Sequence, residues 1–255
     1  MIGKLIGMVH LGPLPGAPRY RGDLTTVLES ACEDARRLSA AGFDAVIVEN
    51  FGDAPFYADD VPKATVAAMT RAVTAVAEAA GIPVGVNVLR NDAMAALVVA
   101  TVAGATFVRV NVLAGVMHTD QGTITGRAAD VARLRATLAP EVEVLADVFV
   151  KHATPPPGLT VGQAASDLWE RAGADGIIVS GTGTGRALDL SQLETVRAAV
   201  PDAPIFAGSG VTAATIAGLL RICDGAIVGT SVKENGVTTA PVDPARARAL
   251  VAAAR

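Results

Sequence analysis

Aromatic side chains are scarce in this chain: 4% of 255 residues, with one Trp and two Tyr. That excludes a base-stacking surface for single-stranded nucleic acid, which needs rows of exposed rings. A basic field is also missing. Lys and Arg number 21 against 25 Asp and Glu, for a formal charge of −4, whereas nucleic-acid binding rests on a clear positive excess. No nucleic-acid partner is expected. The two cysteines, Cys32 and Cys223, are too few for a disulfide framework or a zinc site. Both fall in apolar helix-like stretches and read as buried thiols. Long hydrophobic runs are absent too. The longest, from Ala93 to Ala105, is far below the roughly 20 residues that span a bilayer. The opening MIGKLIGMVHLGPLPG is interrupted by Lys4, His10 and prolines, unlike a secretory signal. No transmembrane segment and a cytoplasmic location are therefore expected.

What the chain has is apolar material, 51% of residues, distributed in one rhythm. Short β-branched runs alternate with Ala/Leu-rich helical stretches. Strands are expected at 5–10, 45–50, 83–89, 107–112, 142–149, 176–180, 205–208 and 226–229. Near-continuous apolar runs suit parallel strands buried on both faces. Helical spacing appears between them, as in Leu24, Val27, Leu28, Ala31, Ala35 and Leu38. Further helices are expected at about 63–80, 92–103, 128–138, 160–172, 190–199, 213–220 and 244–254. Glycine follows several of these helices, in AAGFDAV, AAGIPVG, VAGATFV and RAGADGI, where a left-handed residue ends a helix. Asp189, Thr212 and Asp243 stand as N-caps, the last followed by Pro244 at the first helical position. Eight strands alternating with eight helices imply an α/β fold, a (β/α)8 TIM barrel, as one domain over 1–255. The rival, an open doubly wound sheet, would favour a G-x-G-x-x-G turn after the first strand. His10-Leu11-Gly12-Pro13 stands there instead.

Barrel chemistry collects at the C-terminal ends of strands. Those ends deliver, in chain order, His10; Glu49 and Asn50; Asn87 and Arg90; Arg109 and Asn111; Asp147, Lys151 and His152; Ser180, Gly181 and Thr182. The last two strands deliver Gly208-Ser209-Gly210 and Gly229-Thr230-Ser231. The N-terminal ends carry only ordinary edge residues such as Lys4, Asp44 and Asp175. This asymmetry points to an enzyme-like mouth. GSGVT and GTSVK resemble a phosphate cradle, because glycines admit close approach of backbone N–H groups and a following helix adds favourable partial charge. Each alone would also serve as a tight turn; two in succession favour an anion site. Ser209, Thr230 and Ser231 could add hydroxyl donors. The alternate glycines of 181–185, with Arg186, read equally as a mobile loop beside that site or as a surface turn. His10, Glu49 and Asp147 are candidates for acid–base work, against a structural alternative of ion pairs sealing the barrel. Lys151 reads as charge stabilisation ahead of a Schiff base. His118, in a polar segment, reads as incidental or as part of a lid. No metal and no cofactor are assigned, although the cradle could also take a flavin phosphate.

GMVHLGPLPGAPRYRG, VENFGDAPF, NVLRND, RVNVLAG, TDQGTITG, DVFVKHA, IIVSGTGTG, AGSGVT, IVGTSVK and PVDPARA together resemble one family, the BtpA/SgcQ family of TIM-barrel proteins. The resemblance runs over essentially the whole chain. It implies the barrel fold. For function it implies two classes: an accumulation factor for photosystem I, from which the family takes its name, and enzymes of sugar-related bacterial pathways. The expected function is thus an enzyme acting on a small phosphorylated metabolite, a phosphosugar or nucleotide-derived molecule, by isomerisation, lyase or glycosyl-transfer chemistry. The alternative is a non-catalytic assembly factor. A homo-oligomer is expected.

Overall fold

A computed structural model describes residues 2–181 and 188–255. The expected loop from Thr182 to Arg186 lies outside them. The first half of the chain gives β1 (Leu5–His10), α1 (Leu24–Ala41), β2 (Ala45–Glu49), α2 (Lys63–Ala80), β3 (Val84–Asn87), α3 (Ala93–Ala103) and β4 (Phe107–Val110). A hairpin follows, β5 (Val116–Thr119) and β6 (Gly122–Thr125), then α4 (Ala128–Leu138), β7 (Glu143–Val148), β8 (Ala153–Thr154) and α5 (Val161–Ser166). The chain continues through β9 (Gly176–Ser180), α6 (Leu190–Ala199), β10 (Ile205–Gly208), α7 (Ile216–Leu219), β11 (Gly225–Val228) and α8 (Pro244–Ala254). Eight parallel strands close in the order β1-β2-β3-β4-β7-β9-β10-β11, with β11 pairing back to β1. The protein is a (β/α)8 barrel.

Each strand divides its side chains between two cores. Outward residues such as Leu5, Val9, Val46 and Val48 pack against the helices. The alternate residues Ile6, Met8, Ile47, Phe107, Leu145, Ile178, Phe206 and Ile227 fill the barrel interior. Gly85 takes the inward position beside Phe107: a Cβ there would lie 2.2 Å from the ring. The recurrent Asp at the start of several strands also has a cause. Asp44 accepts from the amides of Lys4 and Leu5, Asp175 from Val144 and Asp224 from Ile205. Each carboxylate thus caps the first amides of the neighbouring strand.

Several expectations are corrected. TDQGTITG is not a plain loop: β5 and β6 pair there, and β8 adds to β5 as an antiparallel three-stranded sheet. Its apolar residues Met117 and Ile124 pack on Val112 and Val150 above the barrel end. His118 therefore lies on a strand, its Nδ1 3.2 Å from Thr123 Oγ1. The helix expected at 213–220 is only Ile216–Leu219, because Thr212 and Thr215 form a local turn instead, with Thr215 Oγ1 accepting from the Thr212 amide. The helix expected at 160–172 ends its α-helical part at Ser166 and widens into a π turn over Asp167–Arg171. Cys223 is buried, whereas Cys32 is only half-buried.

Candidate functional site at the barrel mouth

Continuing the inward alternation by one more step reaches the end of every strand. The residues there are His10, Glu49, Asn87, Arg109, Asp147, Ser180, Gly208 and Gly229. Asn111 follows Arg109 on the same parity. Seven of the nine are polar or charged, in a chain whose next layer down is wholly apolar. Six of the seven are less than about a tenth exposed, and the His10 side chain is 6% exposed. Period-two geometry thus converts eight separate strand ends into one polar ring.

One arc of the ring is a tightly paired network. Arg109 donates from Nε and Nη2 to the two carboxylate oxygens of Asp147, each at 2.8 Å. Ser180 Oγ donates to Asp147 at 2.8 Å. Asp147 is therefore committed to holding Arg109. Arg90 is buried and donates to the Lys151 carbonyl, which ties down the loop carrying Lys151. That loop turns through left-handed Phe149 (φ 49°) and His152 (φ 58°), costly conformations for bulky residues. Burial lowers the Lys151 ammonium pKa; Arg109 and Arg90 act in the same direction, and Glu49 and Asp147 oppose them.

A second arc, from β1 to β4, is incompletely paired. Asn87 Nδ2 donates to the Arg109 carbonyl at 3.0 Å and to Asn111 Oδ1 at 2.9 Å. Asn87 Oδ1, Asn111 Nδ2 and His10 Nδ1 are buried without a partner among the described residues. Each such atom costs about 1–3 kcal/mol. Glu49 stands 3.9 Å from His10 Nε2, beyond hydrogen-bond distance. Burial holds the His10 pKa well below the ordinary imidazole value, with Lys233, Lys151 and Arg109 adding to the effect. The ring is neutral in the native state. In the unfolded chain it takes up a proton below about pH 6.5. Stability should then be full above that pH and fall below it, with a slope of up to about 1.4 kcal/mol per pH unit from this one group. Urea unfolding between about pH 7.5 and 5.5 should show wild type losing stability relative to His10→Gln as pH falls. Parallel profiles would show that His10 is not held neutral.

The third arc is a gap. Gly208 and Gly229 contribute no side chain, and between their loops lies a cavity of about 190 Å³. Met8 and Ile227 line it below, His10, Arg109 and Lys151 on one side, and Ser209, Gly210, Thr230 and Ser231 on the other. Ser209 (φ 75°) and Gly210 (φ 66°) are consecutive left-handed residues, unusual for serine. The helix expected to point at this cavity begins only at Ile216, so the lining there comes from the turns. Ser231 Oγ donates to the Val211 carbonyl at 2.6 Å and bridges the two loops; its proton is already committed. Thr230 Oγ1 lies 2.9 Å from Thr238 Oγ1. Gly208, Ser180, Gly181, Asn87, Asn111, Glu49 and Asp147, also expected at the site, do not line this cavity.

Among the described residues, no group of three or more His, Cys, Asp or Glu side chains could hold a metal. No described helix is long and apolar enough to cross a membrane. Two buried residues were not singled out from the sequence: Lys233 donates to Asp34, and Asp34 also accepts from the Val242 amide at 2.7 Å. A lysine four residues past Gly229, on a non-repetitive turn, has no periodicity to reveal its direction.

The closed parallel barrel, jacketed by helices, is the TIM-barrel architecture. A solved structure of thiamine phosphate pyrophosphorylase from Pyrococcus furiosus shares that fold, with TM-score 0.61 at 14% identity, covering 98% of this chain and 95% of that one. Sequence narrows the class further. The BtpA family model matches residues 1–255, and the chain belongs to the BtpA family. The photosystem I biogenesis protein BtpA of Synechocystis sp. is 47% identical over 98% of this chain and 87% of its own length. The putative sgc region protein SgcQ of Escherichia coli is 31% identical over 95% and 90%.

Proposed function

We propose that the barrel mouth is the active site of an enzyme acting on a small phosphorylated metabolite by acid–base chemistry. The observation that carries this reading is the cavity where the two glycine turns face His10, Arg109 and Lys151. The turns after β10 and β11 cradle the phosphate through backbone amides. Lys151 and Arg109 supply the countercharge, in a mouth where three cations outnumber the two carboxylates although the whole chain is acidic. Neutral His10, on the wall of the cavity, acts as the proton acceptor. Asp147 acts through Arg109, which it fixes bidentately. The cavity, about 190 Å³, falls below the roughly 300–1,000 Å³ of drug-sized pockets. That size favours a small metabolite over a flavin.

Inorganic phosphate should raise the melting temperature of the wild-type protein. Lys151→Met should weaken phosphate binding about 10-fold, the loss of one charge-assisted contact. A melting temperature indifferent to phosphate would remove the cradle.

A second reading, a non-catalytic assembly role, draws on the name of the Synechocystis relative. It calls for a contiguous apolar face. The large apolar residues most exposed among those described are only five, Tyr57, Val102, Leu138, Leu190 and Val237, and of the helices that carry them only α3 and α4 pack on each other. The mouth is the better-supported site.

A further inference from the structure

We propose that Lys151 is an amine nucleophile, and that the ligand of the mouth carries an aldehyde or ketone that condenses with it to an iminium. This rests on the reading of the mouth as an active site and adds the functional group on which that site acts.

The chain has four lysines, Lys4, Lys63, Lys151 and Lys233. Lys4 and Lys63 are exposed. Lys233 is buried, but its ammonium is committed to Asp34. Lys151 differs from all three. It lines the mouth cavity, and its ammonium makes no hydrogen bond or ion pair among the described residues. A lysine kept to neutralise a neighbouring carboxylate would lie against it, as Lys233 does. The nearest candidate for that role, Asp147, is already occupied by Arg109 and Ser180. Burial, with Arg109 and Arg90 beside it, favours the uncharged amine over the opposing pull of Glu49 and Asp147. Desolvation and cationic neighbours are what make a lysine nucleophilic near neutral pH.

The position of this amine is held from both sides. Arg90 donates to the Lys151 carbonyl. Phe149 and His152, which flank it, are left-handed, and backbone strain of this kind persists where the surrounding structure over-determines it. Immediately after, β8 pairs with β5, Ala153 opposite Thr119 and Thr154 opposite His118. The hairpin over the mouth thus has a use: it clamps the far end of the lysine loop.

The condensation needs nothing beyond these groups. The free amine adds to the carbonyl carbon, the oxygen gains a proton and the nitrogen loses one. The oxygen then takes a second proton and leaves as water while the nitrogen lone pair closes the C=N bond. In sum, one ammonium and one carbonyl give one iminium and one water. The charge does not change, so the countercharge supplied by Lys151 survives the covalent step. Neutral His10 lines the same cavity and carries the proton from nitrogen to oxygen. The iminium then draws electrons from the adjacent carbon, whose proton His10 removes. This selects isomerisation or lyase chemistry over glycosyl transfer.

Glycolaldehyde phosphate, with sodium cyanoborohydride to reduce an iminium to a stable amine, tests this on the full chain by peptide mass mapping. Lys151 should be labelled at least about 10-fold faster than Lys4 or Lys63, through delivery of the aldehyde at a bound phosphate. Inorganic phosphate should suppress that labelling. Lys151→Arg keeps the charge but cannot condense. It should lose the mouth adduct and keep the rise in melting temperature with inorganic phosphate, which also reports that the variant is folded. Labelling of Lys151 no faster than of the exposed lysines, in a protein that phosphate still stabilises, overturns the nucleophile and leaves the cradle standing. Preferential labelling of Lys151 in a protein that phosphate neither stabilises nor protects overturns the cradle and leaves the nucleophile. Neither effect overturns both.

Discussion

Replacing Lys233 with alanine is expected to lower the unfolding free energy by about 3–5 kcal/mol, the cost of removing one partner from a buried ion pair. For a chain of this length that corresponds to a fall of about 6–20 °C in melting temperature. Lys233 is fully buried and Asp34 nearly so. The lysine donates to the carboxylate across 199 residues of sequence. Burial lowers the Lys233 pKa, and Asp34 opposes the shift. The same carboxylate receives the Val242 amide, so the pair fastens the segment after β11 to α1. Asp34→Ala should cost as much as Lys233→Ala. The double variant Asp34→Leu/Lys233→Met should recover most of the loss, short of what the orphaned Val242 amide retains. Urea unfolding of all four proteins measures this; a loss below about 1 kcal/mol in Lys233→Ala would show the pair to be no better than a surface bridge.

The second large effect is catalytic. Asp147→Asn keeps volume and shape but removes the charge that grips Arg109 at two points. If Arg109 stabilises charge developing on the substrate, kcat should fall by about 10²–10³, the usual cost of losing one preorganised electrostatic contact, with KM changed less. Arg109→Lys should behave similarly, because an ammonium cannot reproduce the bidentate geometry. Turnover unchanged in Asp147→Asn, measured with a substrate found among small phosphorylated metabolites, would assign the Arg109–Asp147 pair to holding the barrel together.

The barrel was legible because parallel strands buried on both faces read as unbroken apolar runs. β1, β9 and β10 match their expected bounds, and the others differ by one or two residues at one or both ends, where side chains no longer decide the pairing. The mouth hairpin was not legible. Only Met117 and Ile124 of its eight strand residues are buried, and so sparse an alternation is indistinguishable from a polar loop. The helical stretch at 213–220 failed for a different reason: Thr212 and Thr215 offer the backbone side-chain bonds that compete with the helix. For the mouth, the sequence indicated which residues arrive but not how they divide. Nothing in the order of residues says that Ser180 and Asp147 spend themselves on Arg109 while Asn87 and Asn111 keep atoms in reserve. Such bookkeeping depends on the stagger between strands, which places Asp147 diagonally opposite Arg109.

The two glycines in the ring have a consequence for the direction of approach. Eight strands would otherwise give a mouth with near-rotational equivalence, in which a small ligand could settle in many azimuths. Gly208 and Gly229 lie on neighbouring strands, so the opening is displaced to one side of the axis, opposite the asparagines. A ligand held there, on the proposed reading, would meet His10 from one direction only.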